Sequence, residues 1–477
     1  MTCLKASFTF SKLTADFRLK NTEVVSADLT QINNGLDALA GEPLAGQAVE
    51  KIATLEGTKQ SIRQAIADAG VSPVSEVMSE LPANIANIGQ ENQWFRPSFW
   101  PDIPDIPIGV QRLYMLFAVF PNANRMSFRM LGNYNVKLWD GETLLTNEDV
   151  TSNTDFVSII DSESITSPIT PRGYKTVLVE VNPQEGSNLT HIYLTAFNGL
   201  PSNATSNWLD FDGRLPEFTT LGLSSSSYFP NPRMLERVKF RGPHKMVSIG
   251  FTNCENLEMV DIEQHGIVGG SNMFNSIGVR NLPAWDWSLI GGSWAYFCPG
   301  SKNLKVIPDL DIPLVDSIQQ AFSQSPVMVP SVIVCGNISA PNSISSQNLF
   351  NTQSSLLYVG SLNTGSGRFD RYFASCKNLQ HVESVEMGGG VTNTNLMFSG
   401  CASLRHVRLP NLGMSLSLAS TQLPYSILKL IIEEDLTPLT APDTATLTIT
   451  GTPDAAQIMS DIAASVITVP SGWTISN

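Results

Sequence analysis

The spacing of apolar residues changes period several times along this chain, and each change predicts a different kind of element. Residues 1–20 alternate loosely through Phe8, Phe10, Leu13 and Phe17, the pattern of a short strand or an attachment arm. From Ala27 the step lengthens: Leu29, Ile32, Leu36 and Leu39 form a heptad-like seam that Pro43 ends. Val49, Ile52, Leu55, Ile62 and Ile66 mark a second helical stripe with Gly70 as its C-cap, and Val77, Leu81, Ile85 and Ile88 a third. Each stripe is a narrow apolar face with little chain to bury it. This predicts a helical arm over residues 1–95 that self-associates as a small parallel bundle, with a hairpin packed on the next domain as the alternative.

The segment Trp94–Pro101 (WFRPSFWP) reads as a boundary. Beyond it, Arg112–Phe120 (RLYMLFAVF) is a dense β-type run suited to a core strand. Tyr134, Val136 and Leu138 then alternate ahead of an Asp140-Gly141 tight turn, with Asp140 read as a turn residue and not a catalyst. Gly173–Val181 alternates again. These runs predict a β-rich domain over 96–200.

A repeat dominates the rest of the chain. Phenylalanine recurs as Phe229, Phe251, Phe274, Phe297, Phe322, Phe350, Phe373 and Phe398, at intervals of 22, 23, 23, 25, 28, 23 and 25 residues. Apolar residues stand six, nine and eleven positions after the anchor: Leu235, Val238 and Phe240; Leu257, Val260 and Ile262; Leu404, Val407 and Leu409. The unit is F-x-x-C/S-x-x-L-x-x-V-x-L, plainest in Phe373–Leu379 and Phe398–Leu404 and poorest after Phe274 and Phe322. Ile427, Leu430 and Ile432 suggest a ninth coil without its phenylalanine. A single coil has too few apolar anchors to offset the entropy of ordering it, so the repeat predicts a solenoid over 201–440 in which neighbours cover each other's edges.

The β-rich segment resembles the polycystic-kidney-disease type of immunoglobulin-like (PKD-like) domain, which carries an N-Y-x-V-x-W…DG strand and a closing G-x-Y-x-V strand. Such domains act as spacers or adhesion modules. The repeat resembles the BspA-type leucine-rich repeats of bacterial surface antigens, also found in phage tail-fibre proteins. Thr58–Ile66 with Leu81–Ile85 is similar to a segment common in phage tail proteins. Leu447–Pro453 leading to Gly472–Ile475 is similar to the strand-helix-strand ending of such chains, implying a C-terminal cap over 441–477. The fold class expected is therefore multidomain and mainly β: helical arm, immunoglobulin-like sandwich, leucine-rich-repeat solenoid and cap.

Composition narrows the chemistry. With 29 Lys plus Arg against 43 Asp plus Glu, the net charge of −14 disfavours nucleic acid and anionic lipid as partners. No apolar run is long enough to cross a membrane, and Lys5 interrupts what would be the core of a signal peptide, predicting no leader. The six cysteines lack CxxC spacing, and Cys254, Cys376 and Cys401 share a column, three after the anchor, that wants a small buried residue. No nucleophile elbow, phosphate loop, HExxH or dinucleotide turn occurs, so neither an enzyme nor a cofactor is predicted.

If offsets nine and eleven point inward, eight and ten point outward and line an exposed face. The candidate receptor-binding residues are Arg237, Met259, Tyr358, His381 and His406 at offset eight, with Asp261, Glu383 and Arg408 at ten. His381 and His406 fall at equal places in adjacent coils, ~5 Å apart. A metal pair there would have only Glu383 as carboxylate, so none is assigned. Trp285, Trp287, Trp294 and Tyr296 read as core or subunit interface. The resemblances imply a virion protein, assembled in the host cytoplasm: a homotrimeric tail fibre or receptor-binding component. Its arm would contact other tail or baseplate proteins and its solenoid a host surface receptor. A bacterial surface adhesin and a polysaccharide-cleaving tailspike are the alternatives.

Overall fold

In a computed structural model the described residues are 94–121, 124–194, 207–222, 233–242, 248–251, 254–263, 273–274, 278–283, 285–298, 301, 303–323, 332–365, 367–387 and 391–477. The helical arm expected over 1–95, apart from its last two residues, lies outside them, as does Phe229. The chain is mainly β with few helices and about nine solenoid turns. It divides into two compact units: Trp94–Leu304 with Leu314–Val329, and Lys305–Pro313 with Pro330–Asn477.

The first unit begins as two facing sheets built from β1 (Arg112–Val119), β2 (Asn124–Leu131), β3 (Tyr134–Asp140), β4 (Thr143–Val150), β5 (Asp155–Ile160), β6 (Lys175–Pro183), β7 (His191–Tyr193), β8 (Trp208–Arg214) and β9 (Thr220–Gly222). It continues into β10 (Arg237–Phe240), β11 (Ser248–Gly250) and β12 (Met259–Ile262). One sheet runs β12-β10-β8-β1-β6-β3-β4 and the other β11-β9-β7-β2-β5. Pairing is antiparallel around β1 and β2 but parallel from β8 to β12 and from β7 to β11. The same sheets therefore carry the chain from hairpin pairing into solenoid pairing. Phe117, Phe128, Phe156 and Trp208 meet between the sheets, with ring centroids 5.0 to 5.9 Å apart.

β1 is buried on both faces, which is why its sequence is a near-continuous apolar run. Leu113, Met115 and Phe117 alternate with Tyr114, Leu116 and Ala118. The latter face is covered by the Trp94–Pro101 segment, whose Trp100 packs with Leu116, Ala118, Tyr174 and Leu209. A segment that reads as a boundary is thus a strap across a sheet. Asp140 ends β3 and is 3% exposed. Burial pushes its carboxyl up, but hydrogen bonds from the hydroxyls and backbone N–H groups of Ser167 and Thr166 outweigh that and hold it below the ordinary aspartate value. It pins the 166–167 loop to the Asp-Gly hairpin.

Along the solenoid part of this unit, Phe251, Phe274, Phe297 and Phe322 are all buried. Successive rings lie 5.7, 5.1 and 6.1 Å apart. The coil after Phe274 fits the repeat poorly because Arg280, Pro283 and Trp285 stand where other coils have aliphatic anchors. Trp294 stacks on Phe297 at 4.1 Å and Trp287 packs on Trp294 at 5.5 Å, both rings buried, while Tyr296 is 41% exposed.

The second unit shows the coil at its most regular. Its strands are β14 (Val306–Ile307), β15 (Leu310–Asp311), β17 (Val334–Cys335), β18 (Ile338–Ser339), β19 (Tyr358–Asn363), β20 (His381–Val385), β21 (His406–Val407), β22 (Leu416–Ser417), β23 (Ala445–Thr448) and β24 (Trp473–Ser476), all paired in parallel; β13 (Gly291–Ser293) and β16 (Leu314–Ser317) pair in the first unit. Phe350, Phe373 and Phe398 stack at 5.6 and 5.4 Å, their rings 4° and 14° from parallel.

The turn around each phenylalanine uses its backbone donors alternately. The N–H groups of Phe369, Arg371, Phe373 and Ser375 donate to carbonyls of Asn393, Asn395, Met397 and Ser399 in the next coil, while those of Tyr372, Ala374 and Cys376 close tight turns onto Phe369, Arg371 and Phe373. That alternation needs left-handed residues, supplied by Arg371 and Ser375 and, at the same places in neighbouring coils, by Asn348, Thr352, Leu396 and Gly400. The cysteine column completes the scheme: Cys376 Sγ donates to the Phe350 carbonyl and Cys401 Sγ to the Phe373 carbonyl, both at 3.1 Å. In these two coils the position holds a small side chain with a hydrogen to give, whereas Gln353 fills it after Phe350.

On the strand side, corners are joined by a second ladder. Asp309 accepts from the Asn337 N–H at 2.7 Å, and Asn337 Oδ1 from the Ser361 N–H at 2.8 Å. These side chains cross the next coil so closely that a Cβ on Gly336 would lie 2.5 Å from Asp309 Oδ1 and one on Gly360 2.6 Å from Asn337 Oδ1. Burial pushes the Asp309 carboxyl up against the opposing pull of these bonds.

The expected ninth coil is corrected. Tyr425–Leu430 is an α-helix (α1) continued by a π-helical turn, Ile431–Asp435. Ile427, Leu428, Ile431 and Ile432 are buried together, an i/i+4 face that the strand-type spacing of Ile427, Leu430 and Ile432 conceals. The chain ends as strand β23, helix α2 (Ala455–Ala463) and strand β24, stacked on β22.

Two outcomes are expected. Phe373→Ala should lower the unfolding free energy by about 3–5 kcal/mol in a urea titration, because the ring is sandwiched between two others. Burial pushes the Cys298 and Cys401 thiols up to about 12 and those of Cys254, Cys335 and Cys376 up as well. At mildly alkaline pH these five should stay thiols and resist maleimide or disulfide-exchange reagents, reacting only on unfolding, as mass spectrometry would record.

Candidate functional site

The candidate residues come from two columns of the coils, and the two units use them differently. In the first unit Arg237 and Met259 face each other across β10 and β12, with Lys239 opposite Asp261. Arg237 is committed within the protein. Its Nε donates to Asp210 Oδ1 at 2.6 Å and its Nη2 to Asp212 Oδ2 at 2.9 Å. Arg96 from the strap takes the other Asp210 oxygen at 2.9 Å, and Arg241 binds both Asp212 oxygens at 2.9 Å and reaches Asp105. Asp210 and Asp212 are 0% and 1% exposed, and the guanidiniums around them supply the partners that buried carboxylates need. This network anchors the strap over β8 and β10. The expectation of a free outer face is corrected here: Arg237 is a structural ion-pair partner. Lys239 and Asp261 form a more exposed pair at 3.1 Å.

In the second unit the offset-eight residues Tyr358, His381 and His406 form a continuous column, which strand register extends to Val334 and Val306. The Tyr358 and His381 rings lie 5.0 Å apart and 11° from parallel, and His381 and His406 4.2 Å apart and 7° from parallel. Parallel in-register pairing brings planar side chains to contact distance, so each ring covers its neighbour's face. Tyr358 and His381 are consequently buried, against the expectation that the column is open, while His406 is partly exposed. His381 Nε2 lies 3.1 Å from Glu383 Oε2. Arg408 is also engaged. Its guanidinium binds Asp435, 1% exposed, at 2.7 Å and Glu434 at 3.2 Å, while Asp435 caps the Leu409 N–H at 2.7 Å. What the column offers outward is ring edges, with Glu383 and Arg408 beside them.

Several other carboxylates of the second unit have structural partners. Asp309 belongs to the corner ladder, Asp435 and Glu434 to Arg408, and Glu433 lies 4.0 Å from Lys429. Among the described residues no group of three or more His, Cys, Asp or Glu has metal-holding geometry, and no helix is long and apolar enough to cross a membrane. Asp210, Asp212, Arg96 and Arg241 carry the strongest electrostatics of the first unit. Their only sequence signal is the Asp210-x-Asp212 alternation on a strand, whose meaning depends on partners from distant segments.

Arg237→Ala should therefore act on stability. Leaving Asp210 and Asp212 short of a cation in a buried setting is expected to lower the unfolding free energy by about 3–5 kcal/mol in a denaturant titration, with Arg237→Lys recovering only part of it because it lacks the forked geometry.

No protein-family model, no curated protein and no solved structure matches this chain.

Proposed function

We propose that the chain is a structural attachment protein of a phage virion, a tail fibre or receptor-binding component, working as a homotrimer. The observation that carries this reading is the solenoid itself: coils locked to one another by buried phenylalanine stacks and a backbone ladder make a stiff support for recognition. In this reading the facing sheets of the first unit are a PKD-like spacer and the coils are BspA-type leucine-rich repeats. The recurring F-x-x-C/S-x-x-L unit and the sulfur-to-carbonyl bond that explains its third position support the latter. The N-terminal segment would join other tail or baseplate proteins, and the solenoid would meet a receptor on the host surface.

The test is electron microscopy of intact particles with a gold-labelled antibody against the purified chain, paired with a count of particles adsorbed to host cells when free chain is added. Label confined to the tail and a dose-dependent fall in adsorption are expected. Label on particle-free bacterial cells, or adsorption unaffected by a saturating dose, would overturn the reading.

A further inference from the structure

The outer turns of three neighbouring coils of the second unit, residues 343–355, 368–378 and 392–403, lie in a stretch, 317–432, that holds three carboxylates, Asp370, Glu383 and Glu386. The protein carries 43 carboxylate side chains, yet these turns hold one, Asp370, and it is taken by Arg368 through contacts of 3.0 and 3.3 Å. The other charged residues are Arg371 and Lys377. Both are exposed, and neither makes an ion pair or side-chain hydrogen bond among the described residues. Around them the exposed or partly exposed positions are amides and hydroxyls, such as Asn348, Asn395, Ser375 and Ser399.

A second observation falls on the same surface. The residues two before Phe350, Phe373 and Phe398 are Asn348, Arg371 and Leu396, with φ of 58°, 53° and 57°. Glycine and asparagine suit that left-handed backbone, and Asn348 fits. Arg371 and Leu396 do not, and Leu396 is 44% exposed, so burial does not explain its presence. Side chains kept at a conformational penalty on an outer ridge point to a use outside the fold.

We propose that this ridge binds a carboxylate-bearing polysaccharide, a polymer of uronic-acid type. The guanidinium of Arg371 can fork onto a carboxylate and Lys377 can meet a second. The surrounding amides and hydroxyls suit sugar hydroxyls, and Leu396 offers an apolar patch to a ring's C–H face. The acidic excess of the chain lies outside residues 317–432, so a polyanion is repelled least on this stretch, where Arg371 and Lys377 have no acidic partner among the described residues. The inference deepens the attachment reading and rests on it for its biological setting: the ridge, and not the strand-side columns, would be where a surface glycan is held.

Native gel electrophoresis of the full chain through polygalacturonate, with dextran as the neutral control, tests this. Retardation by polygalacturonate but not dextran, weakened by salt, is expected. The double variant Arg371→Ala/Lys377→Ala, with unchanged circular dichroism, should bind roughly ten- to a hundredfold more weakly, the loss expected for two charge-assisted contacts. No retardation of the native chain, or equal retardation of the variant, would overturn the proposal. Adsorption inhibition measured alongside separates it from the broader reading. A chain that blocks adsorption but ignores polygalacturonate defeats the ridge alone. A chain held by polygalacturonate through Arg371 and Lys377 that leaves adsorption untouched defeats the attachment role alone.

Discussion

The coil around Phe373 leaves alternate turn donors unsatisfied until the next coil arrives, as does the coil around Phe350. The N–H groups of Phe369, Arg371, Phe373 and Ser375 have no acceptor within their own turn; only the following coil supplies one. Unpaired buried amides are costly, so a coil and its neighbour must form together. The phenylalanine stack adds to this, since Phe373 is covered by Phe350 on one side and Phe398 on the other. Cooperation between adjacent coils is thus built into both the polar and the apolar parts of the repeat, and the cysteine-to-carbonyl bond adds a third link at the same corner.

In-register stacking also reshapes what the strand side offers. A residue outward on an isolated strand is, in a parallel stack, roofed by its equivalents above and below. Tyr358, His381 and His406 show this, as do Asp309 and Asn337, whose side chains bind the backbone of the next coil. The open surface therefore moves to the turn side, where the chain's two exposed left-handed bulky residues of this unit, Arg371 and Leu396, stand beside Lys377. The two functional ideas, a stiff scaffold and a turn-side glycan ridge, follow from one geometry.

The first unit solves a different problem, how to begin a solenoid on a sandwich. Parallel β10 and β12 extend a sheet whose centre is antiparallel, and the outer face of that sheet is sealed by a strap rather than by another coil. Buried Asp210 and Asp212 receive Arg96 from the strap and Arg237 and Arg241 from the first coil, so the ion network joins the three segments.

The sequence by itself determined the period of the solenoid, the phenylalanine, leucine and valine columns, the small residue three after the anchor, and the Asp-Gly hairpin. These depend on residues close in the chain or on a spacing repeated many times, so the pattern survives in one dimension. Only the tertiary structure decided that Trp94–Pro101 is a strap, that Arg237 belongs to buried aspartates, that the histidine column is closed by stacking, and that Tyr425–Asp435 is helical. Each of these turns on which distant groups meet: an Asp-x-Asp pair reads alike whether three arginines surround it or none, and a ring points to water or to another ring according to what the next coil brings over it.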